Sequence, residues 1–102
     1  MIIHVKSYDE FKEYIENNDC FVDFFATWCG PCKMLTPVIE DLDANGLFGD
    51  IKILKVDVDE NGDIARDYRI QAVPTLMMFR GGKVVNTAMG YKNENEVLDF
   101  IK

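Results

Sequence analysis

The chain has little of what would tie it to a membrane, a nucleic acid or a metal ion. It carries only 11 lysines and arginines against 18 aspartates and glutamates, a net charge of −7, and such a balance repels phosphate backbones and anionic headgroups. Partners are therefore expected to be neutral or basic, with no nucleic acid and no membrane among them. No apolar run approaches the length that spans a bilayer. The opening Met1-Ile2-Ile3-His4-Val5-Lys6 passes at once into Ser7-Tyr8-Asp9-Glu10, without the basic region, apolar core and small-residue cleavage site of a secretory leader. Cysteine is scarce, and three is an odd number and too few for a disulfide scaffold, which agrees with a reducing compartment. A cytoplasmic location is the default expectation. Histidine occurs once, so a tetrahedral zinc site built on Cys29 and Cys32 could add only Cys20 and His4. No metal is expected.

What is present is enough for one hydrophobic core. With 48% hydrophobic and 12% aromatic residues, the 102-residue chain reads as a single domain over 1–102. The most apolar stretch, Cys20-Phe21-Val22-Asp23-Phe24-Phe25-Ala26, predicts a strand buried on both faces in the middle of a sheet. One residue breaks it: Asp23 shares a face with Phe21 and Phe25, which places a carboxylate in the core with no basic residue near it in sequence. Buried acids of this kind gather at active sites.

Directly after that strand comes Trp28-Cys29-Gly30-Pro31-Cys32, and then apolar residues at Leu35, Val38, Ile39 and Leu42, spaced by the turn of an α-helix. The cysteines thus mark a strand-to-helix junction, one turn apart and close enough to be bridged. Cys29 falls where a helix leaves its N–H groups unpaired, and the positive end of the helix dipole favours a thiolate there. The thiolate is the reactive form. Gly30 lets another backbone approach, and Pro31 in the first turn removes an N–H that had no partner. A permanent structural bridge is a poor alternative, because a two-residue loop constrains almost nothing. A pair of inert core cysteines is another, but Trp28, Gly30 and Pro31 are poor choices for a helix that merely packs.

The remaining segments complete an α/β order. Residues 2–5 predict a short strand, and Ser7 with Glu10 a capping box that opens a helix with Phe11, Tyr14 and Ile15 inward. Pro37 lies inside the second helix, which Asn45-Gly46 ends. Residues 51–58 predict a strand, Ile64, Ala65 and Tyr68 a short helix, and Leu76-Met77-Met78-Phe79 another strand that Pro74 precedes. Gly81-Gly82 signals a two-residue hairpin turn into a last strand ending at Gly90. Asn93 with Glu96 resembles a capping box for a final helix carrying Val97, Leu98 and Ile101 inward. The expected architecture is a three-layer α/β/α sandwich with a mixed five-stranded sheet and four helices. The first and third strands should lie on either side of the central one or near it, parallel to it.

A Cys-x-x-Cys between strand and helix in a βαβ context is the redox motif of one family. Trp28-Cys29-Gly30-Pro31-Cys32, led in by Val22-Asp23-Phe24-Phe25-Ala26-Thr27, resembles the active-site region of the thioredoxin family, and the likeness runs over essentially the whole chain. Departures are Phe25, where many bacterial members have a second tryptophan, and the additional Cys20. The resemblance implies a protein-disulfide reductase in which Cys29 attacks, Cys32 resolves the mixed disulfide and Asp23 serves as the base for Cys32. It also implies that Lys55 matches a lysine near the buried aspartate, which without the resemblance would read as a solvated charge. Val73-Pro74-Thr75 looks like the family's cis-proline loop, and Gly90 like the glycine that opens space for a substrate backbone. Trp28, Gly30, Pro31, Val73, Pro74, Met89 and Gly90 would then accept an extended peptide of little sequence demand. No bound cofactor is implied beyond a Cys29–Cys32 disulfide, with electrons from a thioredoxin reductase and a monomer as the acting species. The alternatives are a disulfide oxidase or isomerase, relatives of which usually carry histidine where Pro31 stands, and a non-catalytic binding module.

Overall fold

Apolar periods of two and of 3.6 residues resolve into nine elements in the computed structural model, which describes residues 1–102. In chain order they are β1 (Ile2–His4), α1 (Tyr8–Asn17), β2 (Cys20–Phe25), α2 (Gly30–Ala44), β3 (Lys52–Asp57), α3 (Gly62–Asp67), β4 (Thr75–Arg80), β5 (Lys83–Met89) and α4 (Glu94–Phe100). The strands form one five-stranded sheet in the order β1-β3-β2-β4-β5. β1 and β2 both run parallel to β3, while β4 is antiparallel to β2 and β5 to β4. β2 is therefore central, as apolar side chains on both of its faces require.

The sequence left two places for β1, beside β2 or near it, and the structure takes the second: β1 pairs only with β3, which fills the slot between them. The reason is local. β1 is three residues long and ends in exposed His4, so it suits an edge, whereas four of the six residues of β3 are buried.

Each face of the sheet carries its own apolar layer. On one, Phe11 and Ile15 of α1 and Ile64 of α3 meet Val22, Phe24, Leu54, Val56 and Phe79. On the other, Leu35, Ile39 and Leu42 of α2 and Val97 and Phe100 of α4 meet Phe21, Ile53, Leu76 and Met78. Burying each side chain of this size contributes about 1.5–3 kcal/mol. Phe11 also makes edge-on contacts with Tyr68 and Phe79 at 5.7 and 5.8 Å between ring centres.

Caps set the helix ends. At α4 the expected box is complete: the Asn93 side chain accepts the Glu96 N–H at 2.9 Å and the Glu96 carboxylate accepts the Asn93 N–H at 3.0 Å. At α1 it is half made. Ser7 Oγ accepts the Glu10 N–H at 3.2 Å, but the Glu10 carboxylate reaches past Ser7 to the N–H of Lys6 at 2.6 Å. In the hairpin, Gly81 and Gly82 have φ of 59° and 79°, the positive pair that a tight turn between twisted strands demands.

Candidate active site

β2 ends at Phe25 and α2 begins at Gly30, so Cys29 becomes the N-cap residue of α2. Its Sγ accepts the N–H of Cys32 at 3.2 Å, one of the donors that a helix start leaves without a backbone partner. Cys29 and Cys32 are joined as a disulfide, with Cα atoms 5.3 Å apart. The two cysteines differ less in exposure than the sequence suggests, at 5% and 3%. What separates them is position: Cys29 Sγ lies 3.6 Å from the carbonyl oxygen of Val73, on the loop that faces the helix end.

That loop is Val73-Pro74, joined by a cis peptide bond, with Pro74 buried just ahead of β4. The Pro74 carbonyl accepts the N–H of Gly90 at 2.9 Å, which ties the end of β5 to the same rim. Gly90 has φ of 92°, and a Cβ added there would meet no protein atom within 4 Å. Backbone conformation, rather than crowding within the protein, is what calls for glycine. Gly30 and Pro31 are exposed in the first turn of α2, and Met89 is exposed at the end of β5. Trp28 is 69% exposed, and its indole N–H donates to Asp59 Oδ2 at 3.0 Å. All seven residues expected to receive substrate thus lie on or beside the segments that surround Cys29.

Behind the cysteines the sheet register brings together groups that are distant in sequence. Asp23 on β2 is paired with Lys55 on β3. Asp23 is fully buried and neither carboxylate oxygen has a hydrogen-bond partner. Burial pushes its pKa up to about 6, with the Lys55 charge pulling weakly the other way. Lys55 is itself buried rather than a solvated charge, with Nζ 3.9 Å from Asp23 Oδ2 and 4.5 Å above the centre of the Phe25 ring. The direct hydrogen bond of Lys55 goes elsewhere, to Thr36 Oγ1 at 3.0 Å. Thr36 in turn donates to the carbonyl of Cys32 at 3.2 Å. Sequence reasoning passed over Thr36; the available signal was its place four residues after Cys32, on the same side of α2.

A family model described as Thioredoxin matches residues 2–102. The chain belongs to the thioredoxin family. Among curated relatives, the thioredoxin of Rickettsia felis is 44% identical over 91 residues, covering 88% of this chain and 86% of that one. The thioredoxin of Chlamydia trachomatis is 40% identical over 100 residues, covering 98% and 96%. The crystal structure of thioredoxin from Malassezia sympodialis superposes with a TM-score of 0.90 at 35% identity, covering 99% of this chain and 88% of that one. The fold is thus the thioredoxin fold, and the Cys29–Cys32 disulfide is its redox-active pair. Thioredoxin-family chemistry is dithiol-disulfide exchange, and this chain is a protein-disulfide reductase of that kind. No three His, Cys, Asp or Glu side chains come together to hold a metal ion, and no helix is long and apolar enough to cross a membrane.

Proposed function

We propose that Cys29 is the attacking thiolate and Cys32 the resolving thiol, in a monomer whose one domain, residues 1–102, carries the whole reaction. The observation that supports this most is the N-cap position of Cys29, whose sulfur already accepts a helix N–H that would stabilise negative charge on it. In the dithiol form the Cys29 thiolate attacks one sulfur of a substrate disulfide; the Cys29–substrate bond forms and the first substrate thiolate leaves. Cys32 then gives its proton to Asp23 and attacks Cys29 Sγ. The Cys29–Cys32 bond forms, the mixed disulfide breaks, and the second substrate thiolate departs. Two electrons pass from the dithiol to the substrate.

Asp23 suits the role of base because its buried carboxylate, with a pKa near 6, holds a proton more readily than an exposed one. Lys55 limits that rise by its charge. Trp28, Gly30, Pro31, Val73, Pro74 and Gly90 form the surface that receives an extended substrate segment through main-chain hydrogen bonds. Disulfide-containing proteins are the substrates, a thioredoxin reductase returns the electrons, and a reducing cytoplasm is the setting in which the dithiol form persists. Reduction of insulin by dithiothreitol, followed as turbidity with and without the protein, tests the function. Strong acceleration is expected, and none would leave only a binding role.

A further inference from the structure

We propose that Thr36 is a positioning residue: its hydroxyl, anchored on the Cys32 carbonyl, holds the Lys55 ammonium at a stand-off from Asp23 and so leaves that carboxylate without a direct hydrogen bond. The proposal rests on Asp23 serving as the base of Cys32. A lysine ammonium has three donors and no acceptor, and here one goes to Thr36 Oγ1 at 3.0 Å while the charge lies 4.5 Å above the Phe25 ring. The carboxylate at 3.9 Å is beyond hydrogen-bond range. Thr36 Oγ1 does not swing freely, since its own proton is committed to the Cys32 carbonyl at 3.2 Å. The same hydroxyl therefore touches the backbone of the resolving cysteine and the only cation within reach of the buried acid.

The stand-off has a chemical consequence. A carboxylate in a direct, charge-assisted bond to an ammonium, normally about 2.7–2.9 Å long, is stabilised as the anion and becomes a weaker base. Asp23 escapes this although its neighbour is a lysine. Without the Thr36 hydroxyl, the nearest strong acceptor for Lys55 is Asp23, and the move of about an ångström is well within the freedom of a four-carbon stem. The competing destination is outward. Lys55 and His4 line two clefts, one of about 230 Å³ also bordered by Lys6, Asp57 and Glu60, the other of about 200 Å³ bordered by Thr36 and Glu40. These groups, from β1, the segment after it, β3, the turn after β3 and α2, are the charges that face Lys55 besides Asp23.

The test is the titration of the Asp23 carboxyl carbon by NMR in reduced protein, compared among the parent, Thr36→Val and Thr36→Ser. Valine keeps the branched shape and removes the hydroxyl, whereas serine keeps the hydroxyl. The valine variant should lower the Asp23 midpoint by about one pH unit, as a new opposite-charge contact does, and the serine variant should hold the parent value. Resolution of a mixed disulfide, read by stopped-flow fluorescence of the single tryptophan Trp28, should slow roughly threefold at neutral pH in the valine variant. Its acid limb should move down by the same unit, as a weaker base predicts. An unmoved or raised midpoint in Thr36→Val overturns the proposal, and so does a serine variant that behaves like valine. Asp23→Asn resolving as fast as the parent would instead overturn the role of Asp23 as base, and the titration would still decide whether Thr36 holds Lys55 off.

Discussion

Replacing Asp23 with asparagine should stabilise the protein at neutral pH and do almost nothing near pH 3. Asp23 is fully buried with both oxygens unpartnered, and burial lifts its pKa from the ordinary 3.8 to about 6. Below pH 3.8 both folded and unfolded chains hold the proton, so the carboxyl costs the fold nothing through ionisation. Between that value and about 6 the unfolded chain ionises first, and folded stability falls as pH rises. Above the folded pKa the loss is complete. The gap between 3.8 and about 6, at about 1.4 kcal/mol per pH unit, gives a penalty of about 3 kcal/mol at pH 7, already net of the attraction to Lys55. Asparagine, neutral throughout and nearly the same shape, escapes it. Urea unfolding of the two oxidised proteins at pH 3, 5 and 7 should show free energies that coincide at pH 3 and diverge by about 3 kcal/mol at pH 7. A variant less stable than the parent at pH 7 would refute the reasoning, since it would mean that the carboxylate gains more from Lys55 than burial takes away. The same variant should release mixed disulfides more slowly.

Cys32→Ser should accumulate a mixed disulfide with a substrate protein and Cys29→Ser should not; mass spectrometry after mixing distinguishes them, and an adduct on Cys32 would reverse the assignment. Cys20 is fully buried, its thiol directed at the carbonyls of Tyr14 and Asn18 at 3.4 and 3.6 Å, and burial pushes its pKa up to about 11. Iodoacetamide should therefore spare it in the native reduced protein while labelling Cys29, and equal rates would show that it is a reactive thiol. Asn93→Ala removes the acceptor at the start of α4 and should cost about 0.5–2 kcal/mol in denaturant unfolding, with an unchanged midpoint showing that the box is replaced by solvent.

The parts of the site that could be read in the sequence are those set by local spacing. A Cys-x-x-Cys at the change from period two to period 3.6 locates the helix start, and one acid within an apolar strand locates Asp23. Lys55 lies 32 positions from Asp23, and only the pairing of β2 with β3 makes them neighbours; the residues alone left it a solvated charge, and the family resemblance supplied its place. Thr36 needed two conditions at once, the rotational phase of α2 over the sheet and the register beneath it, and a linear pattern encodes neither. The slot of β3 between β1 and β2 escaped for a similar reason: strand order depends on which short, half-exposed strand can tolerate an edge.

The cost of Asp23 bears on how the chain can change redox state without losing its fold. A penalty of about 3 kcal/mol equals roughly one buried phenylalanine or leucine, the upper part of the range for such a side chain. The bridge between Cys29 and Cys32 offsets little of it, because loop-closure stabilisation is about 3 kcal/mol for a 15-residue loop and smaller for a shorter one, and in the working cycle the bridge is opened at every turnover. Stability must therefore come from layers that neither the proton nor the disulfide touches. Phe11, Phe24 and Phe79 on one face and Phe21, Leu35 and Leu76 on the other are all buried to within 1% of full, and none of them is a partner in the Asp23–Lys55–Thr36–Cys32 chain of contacts. Reduction opens one short loop at the start of α2 while both apolar layers stay closed. The acid can accordingly be held in an unfavourable state where its basicity is useful, and the fold carries the cost in both redox states alike.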